Sequence, residues 1–294
     1  MRRDEGMPTF VRRDAYTGPR ALIRLNETAV VRHLLRRTPL SLSHGSREHY
    51  YHFLLGYLLP LVAAQRRHRF EKFLALDCGP LMTPILAETL SRLGHRFEIV
   101  RADAIGRPIS LETWDYRCSG RRAGKSLRAA VELVREAWRE HRCPGHPCTQ
   151  AENILIRRSE PHPFYLDGRA ERPGYGTSRR GISNLEEVSD FLGRNGVAHA
   201  VYEPGAHCLG CQMRVFGAAK RLLGFRGAEW ANLIWANPGT RVRMLDATPP
   251  ADLIAHLMKN RGISHEFVVA PSPHAPENPE AALRFFADDR RSQH

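Results

Sequence analysis

The chain has 294 residues, 42% of them hydrophobic and 26% charged. These ordinary proportions exclude wholesale disorder, a collagen-like repeat and a disulfide miniature, and the length fits two domains of roughly 150 residues each. The formal net charge is +13, and because Lys72, Lys125, Lys220 and Lys259 are the four lysines, forty of the 44 basic residues are arginine. A planar guanidinium fork binds phosphate or carboxylate with two parallel N–H donors. The charge balance therefore points to an anionic partner: a nucleotide, a nucleic acid or an acidic membrane surface.

The six cysteines, Cys78, Cys118, Cys143, Cys148, Cys208 and Cys211, follow no secreted framework. The N-terminal Met-Arg-Arg-Asp-Glu-Gly leads to no apolar signal core. The longest apolar run, Phe53 to Ala64, has twelve residues, where spanning a bilayer takes about 20. It reads as a buried helix, and the chain reads as cytoplasmic with reduced thiols, its charge also compatible with peripheral contact at the inner membrane face.

Residues 1–24 are basic and turn-rich and read as a loosely packed arm. A helix is expected from Ser46, with Tyr50, Phe53, Leu54, Tyr57, Leu58 and Leu61 at helical spacing and Pro60 kinking or breaking it. Next come a buried strand, Lys72 to Asp77, a helix from Pro84 to Leu93 stopped by Gly94, and a strand from Phe97 to Val100. A helix from Ser126 to Arg142 with Leu127, Val131, Val134 and Trp138 on one face closes this half. The breaker cluster Cys143-Pro-Gly-His-Pro-Cys148 reads as a linker, so the domains are expected at 25–145 and 150–294.

The second half restarts with a strand, Asn153 to Ile156, and a long loop, Arg158 to Ser183. A helix opens at Asn184, a good N-cap residue followed by Glu186 and Glu187 in the favourable first turn. Then follow strand Ala198 to Tyr202, helix Cys211 to Ala219, strand Arg221 to Phe225, a glycine-rich turn into a helix at Gly227, strand Arg241 to Leu245, helix Pro250 to Arg261, strand Glu266 to Val269 and helix Pro279 to Ala287. Alternating strands and helices predict parallel sheets with crossover helices. The fold class is α/β, in two doubly wound halves with a cleft between them.

The turn Gly224-Phe-Arg-Gly-Ala-Glu-Trp-Ala-Asn232 follows an apolar strand and opens a helix. Unpaired N–H groups and the positive end of the helix dipole favour an anion there, although glycines at such turns also serve plain packing. Arg157 and Arg158 leave the first strand of this half at the same sheet edge, and Arg179-Arg180 lie in the following loop. Arginines so placed could clamp a pyrophosphate; a solvated basic loop is the alternative. His207-Cys208-Leu-Gly-Cys211 has metal-like spacing. Its counterpart around His146, with four residues between Cys143 and Cys148, does not repeat that spacing. Buried thiols are expected, with neither zinc nor any cofactor. No basic patch with interleaved aromatics marks the chain as a nucleic-acid binder.

Ile-Leu-Ile-Arg-Arg158, then Arg-Arg-Gly-Ile-Ser-Asn-Leu-Glu-Glu-Val188, then Gln212, then Gly-Phe-Arg-Gly-Ala-Glu-Trp-Ala-Asn-Leu-Ile-Trp-Ala-Asn-Pro-Gly-Thr-Arg-Val242, in that order, resemble glycosyltransferase family 61. Tyr51-His-Phe-Leu-Leu-Gly-Tyr-Leu-Leu-Pro60 looks like the family's His-led helix. The resemblance implies a GT-B architecture: two facing Rossmann-like domains with an interdomain cleft. It also implies inverting transfer from a nucleotide-sugar, usually a UDP-sugar, to a saccharide, lipid-linked or peptide hydroxyl in surface-polysaccharide or glycoconjugate assembly. Carried over, Arg158, Arg180, Asn184, Gln212, Gly227, Ala228 and Asn232 match family positions that hold the donor, and His52 matches the first-half histidine. Arg157 and Arg226 join the donor set.

The family loop reads His-Gly-Ala-Gly-Leu, where this chain has Arg226 for the His and Glu229 for the second Gly. Met244 and Gly56 stand where the family is acidic. An inverting transfer needs a base for the acceptor proton and positive charge for the leaving diphosphate. His52, His49 and Glu229 are the candidate bases, and His52 and Glu229 form the expected catalytic pair, with Glu229 on donor hydroxyls and requiring Arg226 as partner to sit beside a pyrophosphate. A non-catalytic donor-binding relative, acting as a partner subunit, is the alternative.

Overall fold

The computed structural model describes residues 9–11, 47–69, 71–101, 108–110, 121–141, 150–168, 170–171, 180–247 and 252–287. The chain divides between Glu140 and His141 into two compact units, just ahead of the expected linker at 143–148, which lies outside the described residues.

The first unit holds a parallel sheet of β1 (Thr9–Val11), β2 (Lys72–Leu76), β3 (Arg96–Val100) and β4 (Pro108–Ser110), in the order β3-β2-β1-β4. Thr9 is in register with Leu74 on one side and Pro108 on the other. The expectation of a loose arm over residues 1–24 is thus corrected at Thr9–Val11, a β-branched and aromatic tripeptide between basic runs that fits a pleated, half-buried surface.

The apolar run forms one helical stretch: α-helix Tyr50–Phe53, π-helix Leu54–Leu58 and α-helix Leu59–His68. It begins at Tyr50, four residues beyond the Ser46 near which a start is expected. Pro60 does not break it; the wider π turn directly ahead gives its ring room against the carbonyl four residues back. Inside this turn the buried Tyr57 hydroxyl accepts a hydrogen bond from the Leu76 amide at 2.6 Å, joining helix to sheet.

The next helix is Gly79–Arg92, five residues earlier than expected, with Pro84 inside it. Asp77 supplies the start: its Oδ1 accepts from the Gly79 amide at 2.9 Å and the Thr83 hydroxyl at 2.6 Å. The expected stop holds, with Gly94 at φ +71°. The last helix of the unit, Arg121–Trp138, also starts ahead of its expected position. Trp138 donates to Thr89 Oγ1 at 3.1 Å beneath the Arg92 guanidinium, 4.6 Å from the ring centre.

The second unit contains β5 (Asn153–Ile156), a hairpin of β6 (Leu166–Asp167) and β7 (Ala170–Glu171), β8 (Gly181–Ile182), β9 (Ala200–Tyr202), β10 (Arg221–Phe225), β11 (Arg241–Asp246), β12 (Ser264–Val269) and β13 (His274–Ala275). Five of these form a parallel sheet in the order β12-β11-β10-β5-β9, and β8 pairs with β13. Leu155, Leu223, Phe225 and Leu245 pack under the helices Leu185–Arg194 and Pro279–Ala287. Alternate residues Ile154, Leu222, Val242 and Met244 are buried as well. Burial of both faces explains the near-continuous apolar runs of these strands. The helices Leu209–Ala218 and Asp252–Arg261 and the 3₁₀-helix Ala228–Trp235 complete the unit.

One charge is set deep in this unit. Arg243, 7% exposed, donates from Nη2 to Oε1 of Glu277 at 3.0 Å and from Nη1 to Glu266. Burial works against its charge, but the two carboxylates outweigh that and hold its pKa above the ordinary value. Asn184 clasps the Glu277 backbone, accepting from its N–H at 2.9 Å and donating to its carbonyl at 3.0 Å. Helix Leu185–Arg194 therefore starts where expected, but Asn184 makes no side-chain cap and is spent on this clasp instead. Truncating one member of a buried ion pair typically costs about 3–5 kcal/mol. Arg243→Ala should lower second-unit stability by about that much in urea denaturation; an unchanged midpoint would show that the pair carries no net stability.

Candidate functional site

Because both faces of the five-stranded sheet are covered, a charge within it needs a buried partner, as Arg243 has in Glu277, and the carboxyl ends of β5, β10 and β11 carry the charged cluster. Arg157 extends the β5–β9 ladder by one bond, its N–H donating to the Tyr202 carbonyl at 2.9 Å, and Arg158 follows directly. Arg226 leaves β10 with its N–H on the Leu245 carbonyl at 2.8 Å. Arg180 is carried in by the β8–β13 pair, where Gly181 N–H donates to Pro273 O at 3.0 Å.

Arg158, Arg226, Asp246 and Glu229 all lie close enough for their charges to act on Arg180. Burial lowers the Arg180 pKa, Arg226 and Arg158 push in the same direction, and Asp246 and Glu229 oppose them. Three guanidiniums thus face two carboxylates. Such a cluster is stabilised by a further anion.

Arg226 does not pair with Glu229, the one condition on which the sequence reading allowed Glu229 beside a pyrophosphate. It pairs with Asp246, a residue that reading missed by ending the strand at Leu245. An acid closing an apolar strand beside a basic loop was the available signal. Asp246 is 3% exposed, and its carbonyl accepts from Ala270 N–H at 2.8 Å.

The turn itself is pinned by Trp230, whose buried indole N–H donates to the Phe225 carbonyl at 2.7 Å. Gly227 is the extended residue ahead of the 3₁₀-helix, and Ala228 is its first residue. Gly224 serves packing, because a Cβ there would stand 2.7 Å from Cβ of Ile156 and 3.2 Å from the Trp230 ring. Glu229 folds its carboxylate over Gly227, where a side-chain carbon would lie 2.6 Å from its Cδ. Its Oε1 is shut off from solvent with no hydrogen-bond partner. Burial raises the Glu229 pKa, against the Arg158 charge, a hydrogen bond from its own amide and the Arg180 charge.

Other expected donor ligands are engaged elsewhere. Arg157 pairs with Glu186 on the helix Leu185–Arg194. Gln212 and Asn232 are buried against each other, Asn232 Nδ2 donating to Gln212 Oε1 at 2.7 Å and Gln212 Nε2 to the His207 carbonyl at 2.9 Å. They lock the helix Leu209–Ala218 to the 3₁₀-helix. Arg179 lies outside the described residues.

His52 is on the first unit, half-buried in the helix Tyr50–Phe53, with the Tyr51 ring 5.5 Å and the His49 ring 6.4 Å away. Glu229 is on the second, so the expected catalytic pair is divided between the units. The fully reduced set of thiols is also corrected: Cys211 is disulfide-bonded, while Cys78 and Cys208 are thiols. Cys208 caps its helix, its sulfur accepting from Cys211 N–H at 3.4 Å. Among the described residues no three His, Cys, Asp or Glu side chains gather as a metal site, and no helix is long and apolar enough to cross a membrane.

No curated protein shows significant sequence similarity to the chain. A family model, Glycosyltransferase 61, matches residues 50–243, from the first residue of the helical stretch to the middle of β11, taking in Arg158, Arg180 and the Gly227 turn. The match covers more than half of the 294 residues, and the chain belongs to glycosyltransferase family 61.

Proposed function

We propose that this glycosyltransferase moves a sugar, with inversion, from a UDP-type nucleotide-sugar to a hydroxyl acceptor, its two units working as the halves of a GT-B enzyme. The observation that carries the reading is the convergence of Arg158, Arg180 and Arg226 beside Gly227 at the sheet's carboxyl edge. Departure of a nucleoside diphosphate leaves negative charge on the bridging and terminal oxygens. Fixed guanidiniums in a partly dehydrated site stabilise that charge without reorganising. They also take the part that a divalent ion plays elsewhere, and the sequence has no Asp-x-Asp pair to hold one.

Inversion in a single displacement needs a base on the acceptor side, and His52 is assigned that proton. The acceptor is a saccharide, lipid-linked or peptide hydroxyl in surface-polysaccharide or glycoconjugate assembly, and the +13 net charge favours work beside an anionic membrane surface. A donor-binding subunit without turnover is the second reading, favoured by the Glu229 carboxylate lying over Gly227. Assaying a panel of nucleotide-sugars for hydrolysis and transfer separates the two.

Arg180→Ala should weaken UDP binding by about 1.5–3 kcal/mol, the range for a hydrogen bond to a charged group, read by calorimetry; a wild type that binds no UDP would overturn the reading. EDTA should leave turnover unchanged, and strict dependence on Mn²⁺ or Mg²⁺ would contradict the arginine assignment. His52→Ala should slow transfer by about 10²–10⁴-fold with UDP affinity kept; a wild-type rate would move the base elsewhere.

A further inference from the structure

Glu229 stands in the first turn of the 3₁₀-helix Ala228–Trp235, at the end of the sheet, where an acidic side chain usually faces water. It turns inward instead. The group lies in the space that Gly227 leaves by having no side chain, where any Cβ would collide with it. Gly227 has φ −163°, an extended conformation open to any residue, so the glycine is needed for room and not for backbone freedom.

Three features gather on this carboxylate: its own amide N–H at the helix start, the Arg158 charge and the Arg180 charge. They are the donors that an oxyanion entering at the same helix end would use. Yet Oε1 is dehydrated without a hydrogen-bond partner, so the carboxylate fills the place without satisfying it. A second anion cannot share it, because like charges in a poorly hydrated site repel strongly.

We propose that the Glu229 carboxylate is a built-in surrogate anion, seated in the diphosphate position, which must swing out or take up a proton before an anionic ligand can bind. The identity of that ligand as the diphosphate of a nucleotide-sugar rests on the reading above; the competition is a property of the site itself. Arg226, the third guanidinium of the cluster, is already paired with Asp246, so its partly offset charge does not suffice for Glu229 and a second anion together.

The sign of the pH effect follows. Burial already favours protonated Glu229, with Arg158, its own amide and Arg180 opposing. A bound diphosphate adds negative charge beside it and favours the proton further. Where the carboxylate stays in place, binding therefore takes up a proton and tightens as pH falls from the alkaline side toward the Glu229 pKa.

The test is calorimetric titration of the full chain and of its Glu229→Gln and Glu229→Gly forms with inorganic pyrophosphate and, separately, with UDP-glucose. Circular dichroism verifies folding, and Gln keeps the side-chain shape should the glycine form prove unstable. Removing the competing negative charge lifts a tax on affinity, so both variants should bind pyrophosphate about tenfold or more tightly than wild type. UDP-glucose, whose diphosphate diester does not titrate near neutrality, should bind the variants more tightly than wild type; proton uptake by wild type alone, seen across buffers of different ionisation heat, marks protonation of Glu229, and its absence marks the outward swing. Variants that bind pyrophosphate equally or more weakly would overturn the proposal. UDP-glucose binding alike to all three forms would also overturn it, leaving the nucleotide-sugar reading intact. Tighter pyrophosphate binding by the variants with no UDP-glucose binding to any form would uphold the surrogate anion and remove the nucleotide-sugar reading.

Discussion

Guanidinium groups held side by side repel one another, and the working edge of the second unit follows from how that repulsion is offset. Its parallel sheet is apolar on both faces, with Ile154, Leu222, Val242 and Met244 buried on one and Leu155, Leu223 and Leu245 on the other. Charge can enter such a layer only with a partner, as Arg243 does with Glu277, or leave it at the strand ends. Arg158 and Arg226 take the second route. They do so at the edge where helix N-termini add further positive potential. The repulsion is the consequence of a sheet that has nowhere else to put its polar chemistry.

The order of strands and helices was legible because burial of both faces leaves continuous apolar runs, such as Asn153–Ile156 and Arg221–Phe225, whose bounds sequence and structure share. Starts of helices were less legible. Asp77 begins a helix from two residues upstream through contacts to Gly79 and Thr83, a geometry that hides behind Pro84. Pro60 reads as a break because a chain is assumed to keep one helical period, and Leu54–Leu58 changes the period. Thr9–Val11 was hidden by its length: three residues between Pro8 and Arg12 give no periodicity, and the pairing with β2 and β4 that makes them a strand is non-local.

At the site, residue type indicated which side chains gather better than which partners they take. Arginines beside a glycine turn point to an anion whatever their rotamers, so Arg158, Arg180 and Arg226 were within reach of the sequence. Gln212 and Asn232 were not. A buried amide must find partners, and on an apolar helix the partner can be a ligand or another amide; only the fold reveals that these two satisfy each other. Asn184 is similar, an N-cap by position whose side chain is used by a backbone 93 residues on. Membership of the family carries the activity class, while the neighbours of each side chain decide what that residue contributes.

The two carboxylates among the arginines divide the work by side-chain length and by what each one rests on. Asp246 is short, fixed at the end of a buried strand and bound to Arg226. Displacing it would strand a guanidinium in a site that has lost water, so it is a permanent counter-charge and lowers the cost of assembling the cluster. Glu229 has one more torsion, lies in the first turn of a 3₁₀-helix, and leaves one buried oxygen without a hydrogen bond. It is the carboxylate proposed to give way. A cluster with only the first would stay unbalanced until a ligand came, and a cluster with two fixed acids would bind no anion at all. One fixed and one removable carboxylate reconcile a folded, tolerably stable edge with a vacancy that negative charge can claim, and this division requires a glycine at 227, since any larger residue would deny the removable acid its seat.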